Sequence, residues 1–195
     1  MAALRCWLAG FLVATLVAAP ALAQSADQIF ARYPRQDVPG KQIGWWQDSY
    51  KAFVHALENE KAMVVVFGDH TSPMAAKFAE LVVPCPQLNQ LAGAAVFVYG
   101  TPQGDEFARR MAMHFKLQVY PTVSVVAPRT DRLTELYRAE GFTDAATLAG
   151  DLERTLRGNR LWPADQPKPA PLTTHYLAYA GKACTPEGAR RLNAG

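Results

Sequence analysis

Cysteine is scarce in this sequence: three residues among 195, at positions 6, 85 and 184. No two of them form a Cys-x-x-Cys pair. Dithiol–disulfide exchange needs a nucleophilic thiolate with a resolving thiol within reach, so that chemistry has no obvious seat here. Charge runs are missing too. The longest basic stretches are pairs, Arg109-Arg110 and Arg190-Arg191, which suit solvated helix faces and leave no footprint for nucleic acid. Beyond the first 23 residues no segment is apolar enough to span a bilayer, so no stable membrane span is expected after that point. There is no internal repeat.

The first 23 residues carry their own signal. Arg5 supplies a positive start, Cys6 to Ala19 is almost entirely apolar, and Ala21-Leu22-Ala23 is an A-x-A site. This predicts a signal peptide cleaved after Ala23 and a mature, exported, periplasmic protein beginning at Gln24. The apolar run is short for a membrane anchor, and Pro20 follows it. The formal charge of +3 loses only Arg5 with the leader and becomes +2. Two cysteines then remain. In an oxidising compartment an even pair suggests a disulfide, Cys85–Cys184, with two unpaired thiols as the alternative. Such a bond would close a long loop and contribute about 2–4 kcal/mol.

The length suggests one domain with extensions, and a hydrophobic content of 50% is enough for a real core. Residues 24–44, with Pro34, Pro39, Gly40 and Gly44, read as an irregular N-terminal arm. Residues 45–60 read as a helix with Trp46, Tyr50, Phe53, Val54 and Leu57 on one face. The unbroken apolar run Met63-Val64-Val65-Val66-Phe67 fits a strand buried on both faces. After the loop Gly68–Ser72, Pro73 opens a helix that Pro84 stops. Cys85-Pro86 makes a corner, and residues 87–92 another helical turn. Strands are expected at 95–99, 123–127 and 136–139, and helices at 103–116 and from a cap at Thr143 or Asp144 through Leu148, Leu152 and Leu156. The order is α-β-α-β-α-β-β-α. The first two strands should be parallel, and the last two an antiparallel hairpin around a loop of about ten residues. Pro163, Pro167, Pro169 and Pro171 mark 158–195 as a linker and tail.

Three local features, in this order and spacing, resemble the thioredoxin family over roughly residues 45–157. The strand Val64–Phe67 runs into a loop and a Pro-containing helix start, where thioredoxins carry their Cys-x-Pro-Cys. Tyr120-Pro121-Thr122 is similar to the family's cis-proline loop, and Gly141-Phe142 to its glycine before the last helix. The corner Val83-Pro84-Cys85-Pro86 is more similar to periplasmic thioredoxin-like relatives than to cytosolic thioredoxin. The resemblance implies an α/β domain with a mixed four- to five-stranded sheet flanked by helices.

At the place of the dithiol motif stand Thr71-Ser72-Pro73-Met74. Thr71 cannot form a mixed disulfide and Met74 has no proton to lose. Cys85 lies 11 residues beyond Met74, and Cys184 is in the tail. The resemblance therefore implies no oxidoreductase activity, no cofactor and no enzyme. What it leaves is the family's shallow peptide groove, placed at Asp69, His70, Thr71, Ser72, Pro73, Met74, Val119, Tyr120, Pro121 and Thr122. The expected function is a redox-inactive binding module, an accessory or assembly factor that recognises another periplasmic or envelope polypeptide. Two rivals stay open: exchange through a single cysteine, and copper handling. The second rests on His70, Met74, Met111, Met113 and His114. It lacks the cysteine pair of copper carriers with this fold, so no metal site is expected. A Thr71 nucleophile with Asp69 or His70 as base has no evident oxyanion donors. His55 is expected to be exposed, and Trp45 and Trp46 to pack in the core or at its edge.

Overall fold

The computed structural model describes residues 24–33, 43–129, 132–141 and 143–163. The expected leader, part of the N-terminal arm, Phe142, Cys184 and the tail from residue 164 lie outside these residues. The described elements are α1 (Ala26–Ala31), α2 (Ser49–Glu58), β1 (Met63–Phe67), α3 (Pro73–Val82), α4 (Pro86–Asn89), β2 (Val96–Gly100), α5 (Glu106–His114), β3 (Thr122–Pro128), β4 (Leu133–Glu140) and α6 (Ala145–Gly158).

Every residue of β1 and β2 is buried; β1 lies inside the sheet, and β2, at its edge, is covered by the Trp46 segment and the helices on both faces. The strands form one mixed sheet in the order β2-β1-β3-β4. β1 runs parallel to β2 and antiparallel to β3, and β3 and β4 form an antiparallel hairpin. The two side-chain faces of the sheet make two cores. Val64, Val66, Phe97, Tyr99, Val123 and Val125 pack with α1, α3, α4 and α6. Met63, Val65, Phe67, Val98 and Val126 pack with α2 and α5. This is the expected α/β arrangement.

Four details differ from expectation. The N-terminal arm is not wholly irregular: Ser25 and Gln28 form a reciprocal capping box that starts α1. Phe30 of α1 is fully buried, stacking on Tyr99 at 4.2 Å and meeting Trp45 edge-on at 4.6 Å. Second, α2 begins at Ser49, capped by Asp48, so Trp46 is not helical. Trp46 N–H donates to Phe97 O, and Trp46 O accepts from Tyr99 N–H, extending the β2 edge by one bridge. The buried stripe of α2 is Ser49, Ala52 and Ala56, while Tyr50 is 57% exposed. Small side chains let this helix lie close on the sheet, and the large ones flank the contact. Third, β4 is longer than expected and its turn shorter. Arg129 N–H donates to Arg132 O, and residues 130–131 lie outside the described residues. Fourth, Leu161 and Trp162, expected in the linker, pack against the first core, and the Arg157 guanidinium lies 4.0 Å over the Trp162 ring.

β4 is an outer strand and carries a bulge. Val125 pairs with Tyr137 and Val126 with Glu135, so Leu136 has no partner on β3. The bulge puts Glu135 and Arg138 on one face, where they pair side by side. The buried Ser124 hydroxyl donates to Glu135 at 2.6 Å, and Arg138 donates to Phe115 O at 2.6 Å, beside the end of α5.

Gly68, between β1 and the loop that follows, is required by a close approach. A Cβ there would lie 2.4 Å from the Tyr99 hydroxyl and 2.6 Å from its ring. Gly68→Ala should therefore destabilise by about 1–3 kcal/mol, through overpacking. Tyr99→Phe in the same background should give little relief, because ring carbons also clash, whereas Tyr99→Leu should recover part of the loss. Urea denaturation of the single and double variants tests this, and full additivity of the two would contradict it.

Candidate functional site

The site is built where β1 ends and β3 begins. These strands pair with Phe67 opposite Thr122, so the loop after the one and the loop before the other must meet at one end of the sheet. The Tyr120–Pro121 peptide is cis, as the resemblance implied. Two contacts hold its loop. The Thr122 hydroxyl donates to Val119 O at 2.6 Å, and Gly141 N–H donates to Pro121 O at 2.8 Å. Gly141 sits at φ +74°, in the left-handed region that glycine tolerates, which lets the chain leave β4 and still reach this loop.

On the facing side, Asp69 organises the loop before α3. Its carboxylate accepts the Thr71 hydroxyl at 2.7 Å and the Thr71 N–H at 2.9 Å, while Ser72 N–H donates to Asp69 O at 3.0 Å. Those Thr71 bonds, the hydroxyl first, hold the Asp69 carboxyl below the usual range. The sign follows. The turn's stabilisation is present above the ordinary aspartate pKa and is lost as pH falls through the lowered folded value. Asp69 is therefore anionic at neutral pH and a poor base, and the Thr71 hydroxyl is already committed to it.

Burial raises the Tyr120 hydroxyl pKa, and the Asp69 charge raises it further, which ties the two loops electrostatically. Tyr99, whose hydroxyl lies next to Gly68 at the start of the first loop, has its pKa raised by burial first, then by Asp27 and Asp69. Its hydroxyl has no hydrogen-bond partner among the described residues. The surface above is apolar and open: Met74 is 47% and Val119 42% exposed. Among the described residues, neither the Val119 nor the Tyr120 N–H reaches a backbone acceptor.

The sequence-predicted residues thus fall at one end of the sheet, Asp69 to Ser72 on the loop before α3 with Pro73 and Met74 in its first turn, and Val119 to Pro121 on the loop that leads into Thr122 of β3. Cys85 does not join them. It is the N-cap of α4, 1% exposed, at the far end of α3 from Pro73. The soft-ligand set is scattered by burial, with Met111 in the second core and Met113 73% exposed on the same helix. Among the described residues no three His, Cys, Asp or Glu side chains cluster, and no helix is long and apolar enough to cross a membrane. His55 is half-buried rather than exposed, its ring 5.1 Å from that of Trp46. Sequence reasoning missed Tyr99 and Asp27. Tyr99 reads only as the end of a strand, and Asp27 lies in a segment whose composition reads as irregular.

No family model matches the sequence, and no curated protein matches it either. Solved structures do. A thioredoxin from Thermus thermophilus superposes with a TM-score of 0.50 at 18% identity, over 58% of this chain and 86% of that one. DsbH oxidoreductase aligns at 12% identity over 63% and 92%, with a TM-score of 0.49. Trichomonas vaginalis thioredoxin aligns at 13% over 57% and 96%, with a TM-score of 0.42.

Proposed function

From the premise that this chain has the thioredoxin-like fold, we propose that it is an exported, redox-inactive polypeptide-binding protein, an accessory or assembly factor of an envelope complex. The observation that carries the reading is the pairing of features at one end of the sheet. At the start of α3, where the fold's redox members place thiols, stand a hydroxyl engaged by Asp69 and a thioether. Across from them, two backbone N–H groups without backbone acceptors among the described residues lie beside exposed Met74 and Val119. An extended peptide laid there gains main-chain hydrogen bonds from the loop before Pro121 and apolar contact from the two side chains. Met74 is unbranched and adapts to varied partners, and Tyr120 adds area with a polar tip.

The single-cysteine rival needs a thiol that is exposed and has a lowered pKa. Cys85 is buried and disulfide-bonded. We take its partner to be Cys184, since Cys6 falls in the expected leader. On this reading the bond is a structural staple, and the localisation is periplasmic.

The test is a thiol count by alkylation and intact mass on protein purified from the periplasm, with insulin reduction alongside. The expected result is no thiol modified in the native or the denatured, non-reduced protein, and no turnover. A thiol that reacts in the native protein, or any measurable reductase activity, rules out the redox-inactive reading.

A further inference from the structure

Asp69 holds its own loop with one carboxylate oxygen and keeps the other open. Oδ1 accepts both the Thr71 hydroxyl at 2.7 Å and the Thr71 N–H at 2.9 Å. Among the described residues Oδ2 receives no hydrogen bond, and the carboxylate forms no ion pair. The basic side chain whose charge reaches it is that of His70, the smallest of the influences on the carboxyl. The same carboxylate lies near enough to the loop before β3 for its charge to act on the Tyr120 hydroxyl, which has no hydrogen-bond partner of its own among the described residues. Glu140, opposite Thr122 in the hairpin, stands at the same end of the sheet, but Arg138 already pairs with it at 3.2 Å. The charge of Asp69, by contrast, is left uncompensated beside the groove.

We propose that the groove selects a polypeptide with a lysine or arginine, whose charged end meets Asp69 Oδ2 while the backbone beside it accepts from the Val119 and Tyr120 N–H groups. The inference rests on the groove reading above and names the class of chain it takes. Segment and surface then match at each point. The two N–H groups lack backbone acceptors among the described residues and call for carbonyl oxygens. Exposed Met74 and Val119 offer apolar contact to the aliphatic stem of the basic side chain, whose head stays at the rim. Its N–H donors reach an ionised carboxylate, the stronger class of hydrogen bond. Thr71 already fills both acceptor positions of Oδ1, so the side-on fork by which a guanidinium grips two carboxylate oxygens is closed. Lysine should therefore serve about as well as arginine. Lys77 stands one turn along α3 from Met74 and repels a second cation, which sets the basic residue on the Asp69 side.

NMR titration of the whole mature chain tests this, read at the Val119 and Tyr120 amides. The probes are pools of short peptides, uncharged and random except for one fixed lysine, arginine, glutamine or glutamate. The lysine and arginine pools should bind about threefold to tenfold more tightly than the glutamine pool, with the glutamate pool weakest. Salt should erase that advantage, because the pair is partly exposed. Asp69→Asn keeps an oxygen for Thr71 and removes the charge, so the ratio of lysine to glutamine binding should fall close to one. A purely structural role for Asp69 would weaken both pools together and leave the ratio standing, and that result overturns the proposal. Should the variant not fold, the unaltered protein still decides: an advantage that survives high salt overturns it as well. Equal binding of the lysine and glutamine pools, with both amides shifting, removes the cation and leaves the groove. No shift from any pool removes both.

Discussion

Phe30→Ala is expected to lower stability by about 3–5 kcal/mol, the usual range for a fully buried phenylalanine. Phe30 lies in a short helix outside the sheet-and-helix repeat, in a stretch whose composition reads as an arm. Yet its ring touches both Tyr99 of β2 and Trp45 of the segment that bridges β2. Trp45 in turn meets Phe97 edge-on at 5.5 Å, and its backbone N–H donates to Tyr33 O at 2.9 Å. Removing the ring leaves a void at the junction of three elements. It also strips the cover from Tyr99, whose buried hydroxyl already lacks a partner among the described residues. For a domain of this size the melting temperature should fall by roughly 10 °C. Circular dichroism melts check it. A fall of only a degree or two would show that α1 is peripheral and that the domain begins at the bridging segment instead.

Asp105→Ala is expected to cost about 2–4 kcal/mol, more than an ordinary helix cap, because this carboxylate serves two helices. One oxygen accepts the Phe107 and Ala108 N–H groups at 2.9 and 3.0 Å and caps α5. The other accepts Ser49 N–H at 2.9 Å, at the first residue of α2. Ser49 is fully buried, so its N–H cannot turn to water when the carboxylate goes. The helix starts therefore share one anion, which both backbone dipoles favour. Asp105→Asn separates the two roles. The amide oxygen can still cap α5, but its NH2 then faces the Ser49 N–H donor to donor, so about half the loss should remain. Guanidinium denaturation of both variants decides it, and an asparagine variant as stable as the parent would refute the shared cap.

The fold is legible because its loudest signals are local. Met63–Phe67 and Ala95–Tyr99 are short apolar runs rich in β-branched and aromatic residues, which fit strands buried on both faces. Pro73 and Pro84 bracket α3, and Asp144 caps α6 as expected, accepting Thr147 N–H. Tyr120-Pro121-Thr122 and Gly141 mark their loops by residue type alone. What stays hidden is tertiary. Large apolar residues at helical spacing suggest the buried face of α2, whereas close packing on the sheet selects Ser49, Ala52 and Ala56. Six residues of α1 are too few for periodicity to show, and its capping box stands just after the expected cleavage site. At the site, the identity of each residue is readable and its engagement is not. Nothing in the order Asp69-His70-Thr71 tells that the Thr71 hydroxyl turns back to Asp69, or that the Tyr99 ring closes on Gly68 at the start of the loop.

The unpartnered Leu136 bears on how this chain behaves in a crowd of its own copies. An outer strand of eight residues is long enough to seed sheet growth from molecule to molecule, each copy adding its edge to the last. The extra residue breaks the even spacing that such stacking needs, and the Glu135–Arg138 pair places charge beside the gap. A bulged, charged edge of this kind disfavours such growth at its first step, and the opposite edge is bridged by Trp46 at Val98. On the proposed reading, a protein that holds extended chains is thus kept from treating another copy of itself as one.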